Sequence, residues 1–324
     1  MHRTAITTTR LINWLKAGRG QGVGKEYRPW IEVSKQDHSS DGHSHILPDP
    51  FCGRPHHLLS DLERDICVLN MAQPCITDIR EQYPLWTSSH PNPTLDILDS
   101  MPASSSDIWP DSPGTVALAH QLKIRHERFF GLKDPFVYST DQLLTIKLPN
   151  RPPFLVAFSI KYWSDMRGDP NKEKSKEKRI RNRKRIFKTL RLEREYWRSL
   201  GIPWLLATDR MVHPQVFLNL EWALSGAIQR ITEKDVGLLK GFVLAWKSVE
   251  WHGRCLDQIK AISKAMQIDT STGVRLLKFG IMRGLIPTDL TRPVHLQLPF
   301  PHGATQSPMS IPSWSLLNRV RGLA

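Results

Sequence analysis

The chain is short of nearly everything that marks a secreted, membrane-spanning or disulfide-held protein. Only four of its 324 residues are cysteine (Cys52, Cys67, Cys75 and Cys255), with no Cys-x-x-Cys pair among them, so free thiols in a reducing cytoplasm are expected. No apolar run approaches the ~20 residues of a spanning helix. The opening Met-His-Arg-Thr lacks the apolar core of a signal peptide. The glycine-rich stretch Gly18–Lys25 lacks the Gly-Lys-Ser/Thr ending of a P-loop. Acid is in deficit too: 31 Asp plus Glu face 45 Lys plus Arg, leaving +14 at pH 7. Such an excess points to a polyanionic partner, nucleic acid first.

What is present suffices for packed cores. The hydrophobic fraction is 40%, and the length exceeds the ~250–300 residues at which one core usually divides. The character changes near residue 210. This predicts a mixed α/β domain over 1–210, a mostly helical domain over 211–305 and a tail over 306–324.

In the first part, the backbone of the Gly18–Lys25 loop is free to approach DNA phosphates, with Arg19 and Lys25 as its basic side chains. A plain surface turn reads equally well. His38, His43, His45, Cys52, His56 and His57 follow at irregular spacing, which suits turns and a hairpin better than a zinc site. Leu62, Ile66 and Leu69 predict a helix starting at Ser60, where Ser60-x-x-Glu63 forms a capping box. Residues 76–85 alternate as a strand, and the Ser/Pro-rich stretch 87–114 reads as an inserted surface loop.

Two further strands, Tyr138–Ile146 and Phe154–Lys161, flank the turn Pro149–Pro153. A hairpin symmetric about Arg151 pairs Asp141 with Lys161 and Leu143 with Ser159. The run Lys172–Lys188 then carries ten Lys or Arg against Glu173 and Glu177. A helix follows with Leu190, Leu192, Tyr196 and Trp197, ending near Gly201, and Pro203–Thr208 reads as a buried strand. Hairpin, helix and strand make an α/β pattern. From Met211 come helices bearing Trp222, Trp246 and Trp251. The apolar stripe Leu256, Ile259, Ile262 precedes a second helix, capped by Asp269 or Thr270 and ending at Gly284. The segment 285–300, with Pro287 and Pro293, is placed as a small wing, which predicts a winged-helix module.

An acid on one strand with polar-x-Lys on the next is how many nucleases hold magnesium. The hard cation wants one or two carboxylates and keeps waters, and a lysine two residues past a ligand position shares its strand face. On spacing alone, the simpler reading of Asp141 and Lys161 is a cross-strand salt bridge.

Several separated blocks, in order, carry more. They are Gly18-Arg-Gly-Gln-Gly-x-Gly-Lys-x-Tyr27, His56-His-Leu-Leu-Ser-Asp-Leu-Glu63, Asp78-Ile-Arg-Glu-Gln82, Ser139-Thr-Asp141, Ile160-Lys161, Leu192-Glu-Arg-x-Tyr-Trp197 and Ile202-Pro-Trp204. Together they resemble the TnsA family, endonuclease subunits of heteromeric transposases that work with TnsB and TnsC. The resemblance implies a restriction-endonuclease-like domain followed by a winged helix, and an active site at Glu63, Asp141, Ser159 and Lys161. By the same resemblance, Glu63 and Asp141 bind one or two Mg2+ and Lys161 activates water. The substrate is DNA, cut at the 5′ ends of a mobile element. A TnsB-like recombinase and a TnsC-like AAA+ ATPase are the partners, in a bacterial cytoplasm, on the nucleoid during transposition. Arg181, Arg183, Lys184 and Arg185 are expected on DNA. Ser159 departs from the pattern, since the family carries Gln there; a metal is then held through water or the Ile160 carbonyl. Glu193 is within reach of assisting a metal but reads as mainly structural. The rival reading is a non-catalytic DNA-binding adaptor bridging recombinase and regulator.

Overall fold

A computed structural model describes residues 6–33, 43–98, 109–168, 175–227, 233–249 and 251–303. Lys172 and Lys174 of the basic run, the middle of the 87–114 stretch and the tail 306–324 lie outside them. The chain divides into two compact units. One comprises Met1–Leu47, Cys52–Arg64 and Cys75–Asp209; the other comprises Pro48–Phe51, Asp65–Pro74 and Arg210–Ala324. No described helix is long and apolar enough to cross a membrane.

Up to residue 209 the elements are α1 (Thr8–Lys16), β1 (His45–Asp49), β2 (Arg54–Leu58), α2 (Asp61–Met71), β3 (Ile76–Leu85), α3 (Thr115–Gln121), β4 (Tyr138–Ile146), β5 (Phe154–Ile160), α4 (Trp163–Arg167), α5 (Lys176–Ser199) and β6 (Trp204–Ala207). Strands β3-β4-β5-β6 form one sheet in that order. Its first two pairings are antiparallel and the last is parallel. Tyr196 and Trp197 of α5 are fully buried with Leu143, Leu155 and Ala157 of the sheet. Burying such side chains contributes about 1.5–3 kcal/mol each.

The hairpin register differs from the symmetric expectation. Leu143 pairs with Ala157 and Gln142 with Phe158, so the turn centres on Asn150 rather than Arg151. Asn150 sits at φ +60°, a left-handed position Asn tolerates far better than Arg, and Pro149 precedes it with the fixed φ the turn wants. A two-residue shift keeps every side chain on its face. It brings Ser159, one step beyond the Gln142–Phe158 pair, across from Asp141.

Helix α5 also differs from expectation, because the described part of the basic run is its own N-terminal half. Ser175 caps it, accepting from the Lys178 N–H at 3.4 Å. Lys, Arg, Leu and Glu sustain it by propensity, and Gly201 at φ +69° stops it, with the Ile202 N–H returning to Trp197 O at 3.0 Å. The described ends of the 87–114 stretch are not surface loop. Asn92, Thr94 and Ser112 are buried, and Asn92 Nδ2 donates to Leu200 O at 2.9 Å.

The second unit holds α6 (Pro214–Ala227), α7 (Glu233–Ser248), α8 (Cys255–Ala265) and α9 (Thr270–Met282). Asp269 caps α9, accepting from the Thr272 N–H at 2.9 Å, and α9 packs against the other three helices. Gly273 makes one of these approaches possible: a Cβ there would lie 2.2 Å from Ser263 Oγ. After α9 the described chain forms no strand ladder, only an isolated bridge between Arg254 and Pro299. Pro287, Pro293, Pro299 and Pro301 remove the donors a ladder needs.

Candidate active site

At the N-terminus of α2, Ser60 and Glu63 meet as the capping box requires. The Glu63 N–H donates to Ser60 Oγ at 3.2 Å, and the carboxylate accepts from Ser60 Oγ at 3.2 Å and the Leu59 N–H at 2.9 Å. A further donor is Gln82 Nε2, 3.0 Å from Glu63 Oε2. Gln82 is buried on β3 at φ +48°, a costly conformation for a non-glycine residue, and its Oε1 accepts from Ser139 Oγ at 2.9 Å. Its amide therefore ties Glu63 to the sheet.

Asp141 on β4 accepts the Ile160 N–H at 2.5 Å and Lys161 Nζ at 2.6 Å, both on Oδ2. Lys161 Nζ also donates to Ile160 O at 2.8 Å. The cross-strand salt bridge is thus present, and the ammonium bridges two oxygens of the kind a hard cation takes. Glu193 of α5 completes the cluster. It is buried and accepts from Thr140 Oγ1 at 2.8 Å, and Thr140 Oγ1 in turn takes the Trp197 indole N–H at 2.7 Å. Sequence reasoning gave Glu193 a mainly structural role. Its spacing was the missed signal, since an acid three and four residues before Tyr196 and Trp197 lies on the buried face.

The Ser159 hydroxyl is already engaged by two neighbours. Ser159 is fully buried, its Oγ takes the Trp204 indole N–H at 2.7 Å, and it also hydrogen-bonds Glu193, a member of the cluster.

Three carboxylates therefore share a buried site with one ammonium. Burial first, then the charge of Asp141, raises Glu63 to about 7, and the same two causes raise Glu193 to about 7. Burial pulls Lys161 down, but Asp141, Glu193 and Glu63 outweigh it and hold the ammonium above the usual lysine value. The excess negative charge, with oxygen donors only, suits a divalent cation. Without one, a stability effect follows. A carboxyl raised in the folded state keeps its proton longer than in the unfolded chain. Its stabilising contribution is full below the usual glutamate range near 4.5 and is lost as pH rises toward about 7. His57, His90 and His126, all held low chiefly by burial, act oppositely across part of this range. The measurement is therefore a difference. In EDTA, Glu63→Gln should gain roughly 1–3 kcal/mol on the wild type between about pH 5 and pH 7.5, read from denaturant unfolding. Parallel pH curves for the two proteins would remove the repulsion from this account.

The glycine loop is pinned to β3. The Gly24 N–H donates to Asp78 Oδ2 at 2.9 Å, and Gly24 O accepts from Arg54 Nε at 3.0 Å. Arg54 also pairs with Glu81 at 2.8 Å, and so does His56. Gly20 cannot carry a side chain, since a Cβ would fall 2.3 Å from Pro84. Arg19, expected toward phosphate, is instead held by Glu32 at 2.6 Å and lies 4.5 Å over the Trp14 ring. Lys25 is exposed beside Glu26, and Arg181, Arg183, Lys184 and Arg185 are all exposed on α5.

A mixed four-stranded sheet presenting this carboxylate–lysine cluster defines an α/β domain of nuclease type. Residues 73–209 match the family described as TnsA-like endonuclease N terminal. Over 232 residues the chain is 29% identical to the transposon Tn7 transposition protein TnsA of Escherichia coli, covering 71% of this chain and 67% of that protein. Over these residues the chain is similar to TnsA-type endonuclease subunits. Asp141, Ser159, Lys161 and Glu193 fall inside the matched span, and Glu63 lies ahead of it.

Proposed function

We propose that the chain is a magnesium-dependent endodeoxyribonuclease of a transposase complex, with a restriction-endonuclease-like domain that cleaves the 5′ ends of the element. The observation that carries this reading is the buried group Glu63, Asp141 and Glu193 around Lys161, a charge arrangement no salt bridge needs. Glu63, Asp141 and the Ile160 carbonyl would hold the cation. When bound, magnesium polarises a phosphate oxygen and lowers the pKa of a water. Lys161 steadies charge developing on the phosphorane, Gln82 orients Glu63, and the Ser159 hydroxyl orients Glu193. The substrate is DNA at the element's ends.

The second unit, from Arg210 on, is read as the partner-binding domain. The helix pair α8–α9 takes the part of a winged helix's helix-turn-helix, and 285–303 stands in the wing's place. Its partner is a TnsC-like AAA+ ATPase, and the nuclease face meets a TnsB-like recombinase, in the cytoplasm. Strand-specifically labelled element ends, incubated with the chain, both partners and magnesium, test the reading: 5′-strand nicks support it. Binding without nicking at any divalent ion concentration would leave only the adaptor.

Ser159→Ala separates orientation from ligation. Leaving Trp204 Nε1 without its acceptor should cost about 1–3 kcal/mol of stability, while nicking stays within about tenfold of wild type. Loss of nicking with stability unchanged would return Ser159 to the ligand set.

A further inference from the structure

Phe130 is 89% exposed, the highest value among the exposed large hydrophobic side chains of the described residues. It stands at the tip of a short hairpin between Glu127 and Phe136. Arg128 bridges Pro135 in antiparallel fashion. The Phe129 N–H donates to Asp134 O at 3.2 Å, the Phe136 N–H to Glu127 O at 2.9 Å, and the Leu132 N–H closes the turn on Phe129 O at 3.0 Å. Gly131, at φ +78°, supplies the left-handed third position of that turn. A Cβ on Gly131 would meet nothing within 4 Å, so the tip stands clear of the rest of the unit.

The root is firm. Phe129 packs 5.1 Å from Phe136, and Phe136 packs 5.1 Å from Tyr138. The Glu127 N–H donates to the Tyr138 hydroxyl at 3.2 Å, and His126 Nε2 lies 3.0 Å from Thr115 Oγ1.

A single exposed apolar residue is ordinary on a protein surface. Rigid presentation and basic neighbours set this one apart. Lys123, Arg125, Arg128 and Lys133 are exposed around the hairpin, whereas Glu127 and Asp134 are half-buried. The hairpin's base adjoins the basic helix through α3, whose Thr115 holds His126 and which packs against α5. An aromatic ring held out among cations fits a stacked, negatively charged polymer: bases accept the ring's face or edge, and phosphates accept the cations.

We propose that the 127–136 hairpin is a DNA wedge, in which Phe130 inserts against a base step while Arg125, Arg128 and Lys133 hold the flanking phosphates. This rests on the chain acting on DNA, and adds a place where the duplex is opened. Phe130 makes no interior packing, so its substitution leaves the fold intact. The test uses the full chain and short duplexes, fully matched or with one central mismatch, carrying fluorescein for affinity or 2-aminopurine for unstacking.

Wild type is expected to favour the mismatched duplex, where opening costs less, and to brighten 2-aminopurine. Phe130→Ala should lose both, binding the mismatched duplex roughly tenfold more weakly. Its dependence on salt should be unchanged, because no phosphate contact is removed. Arg128→Gln with Lys133→Gln should do the reverse, flattening the salt dependence and keeping the mismatch preference. A Phe130→Ala protein that retains preference and brightening overturns the wedge alone, and assigns the ring to a protein partner. A wild-type chain that binds neither duplex overturns both the wedge and the DNA reading beneath it.

Discussion

Asp141→Asn and Lys161→Ala should each lose 5′-strand cleavage by roughly two to four orders of magnitude, with the fold retained. Asp141 receives the Ile160 N–H and Lys161 Nζ on a single oxygen, so its charge and its position are both fixed before any substrate arrives. An Asn there keeps an acceptor for the Ile160 N–H but removes the charge that adds to burial in raising Glu63 and Glu193. In EDTA the Asn variant should accordingly be at least as stable as wild type, and magnesium should stabilise it far less. A residue that stabilises by its removal, and disables by the same change, holds strain for function. Lys161→Ala acts differently. It deletes the sole ammonium among three carboxylates, so cleavage falls while DNA affinity changes little. Strand-labelled nicking assays with partner proteins, alongside thermal unfolding with and without magnesium, measure both effects. Full nicking by either variant would reduce the pair to a salt bridge and put the chemistry elsewhere. With the recombinase still joining 3′ ends, both variants should yield cointegrates rather than simple insertions.

Reversing Arg181, Arg183, Lys184 and Arg185 to Glu should remove most of the salt-dependent affinity for DNA. If about five phosphates are neutralised, wild-type affinity falls roughly several-hundred-fold between 50 and 200 mM salt. The reversed protein should show a much flatter line from a weaker start. The reason lies in how α5 is built. Its C-terminal half is anchored by Leu190, Leu192, Tyr196 and Trp197, while the four cations occupy exposed positions nearer its start. The nearby acid Glu177 is occupied at the cap, accepting Ser175 Oγ at 2.6 Å. Titration by fluorescence anisotropy at several salt concentrations decides it. Equal slopes for the two proteins would make the run an ordinary solvated face.

The strands and the α2 start were legible from the sequence because alternation, capping chemistry and turn residues agreed there. β3, β4 and the Ser60 cap fall where the pattern puts them. The hairpin register was not legible to the residue, since Pro149–Pro153 offers two turn centres and only backbone conformation selects Asn150. Strand spacing set Asp141 opposite Lys161 but read them as a salt bridge, and only the resemblance made them site candidates. Glu193 was undervalued because its partners, Thr140 and Ser159, are distant in sequence. Gln82 was hidden altogether: nothing in Glu-Gln-Tyr-Pro announces a left-handed glutamine. The segment placed as the wing forms no strand ladder among the described residues, for a visible reason, the prolines that punctuate it.

Glu63 serves as a helix cap and as a candidate ligand at once. Its carboxylate reaches the cluster only when the first turn of α2 is wound and Gln82 has docked against it. Asp141 and Lys161 wait on the hairpin, and Glu193 waits on α5. These groups are strung over the span from 63 to 193, and such non-local contacts form late. A nascent or partly unfolded chain therefore carries every group of the candidate site without the site itself. For the proposed nuclease, completion of the fold is itself the safety catch.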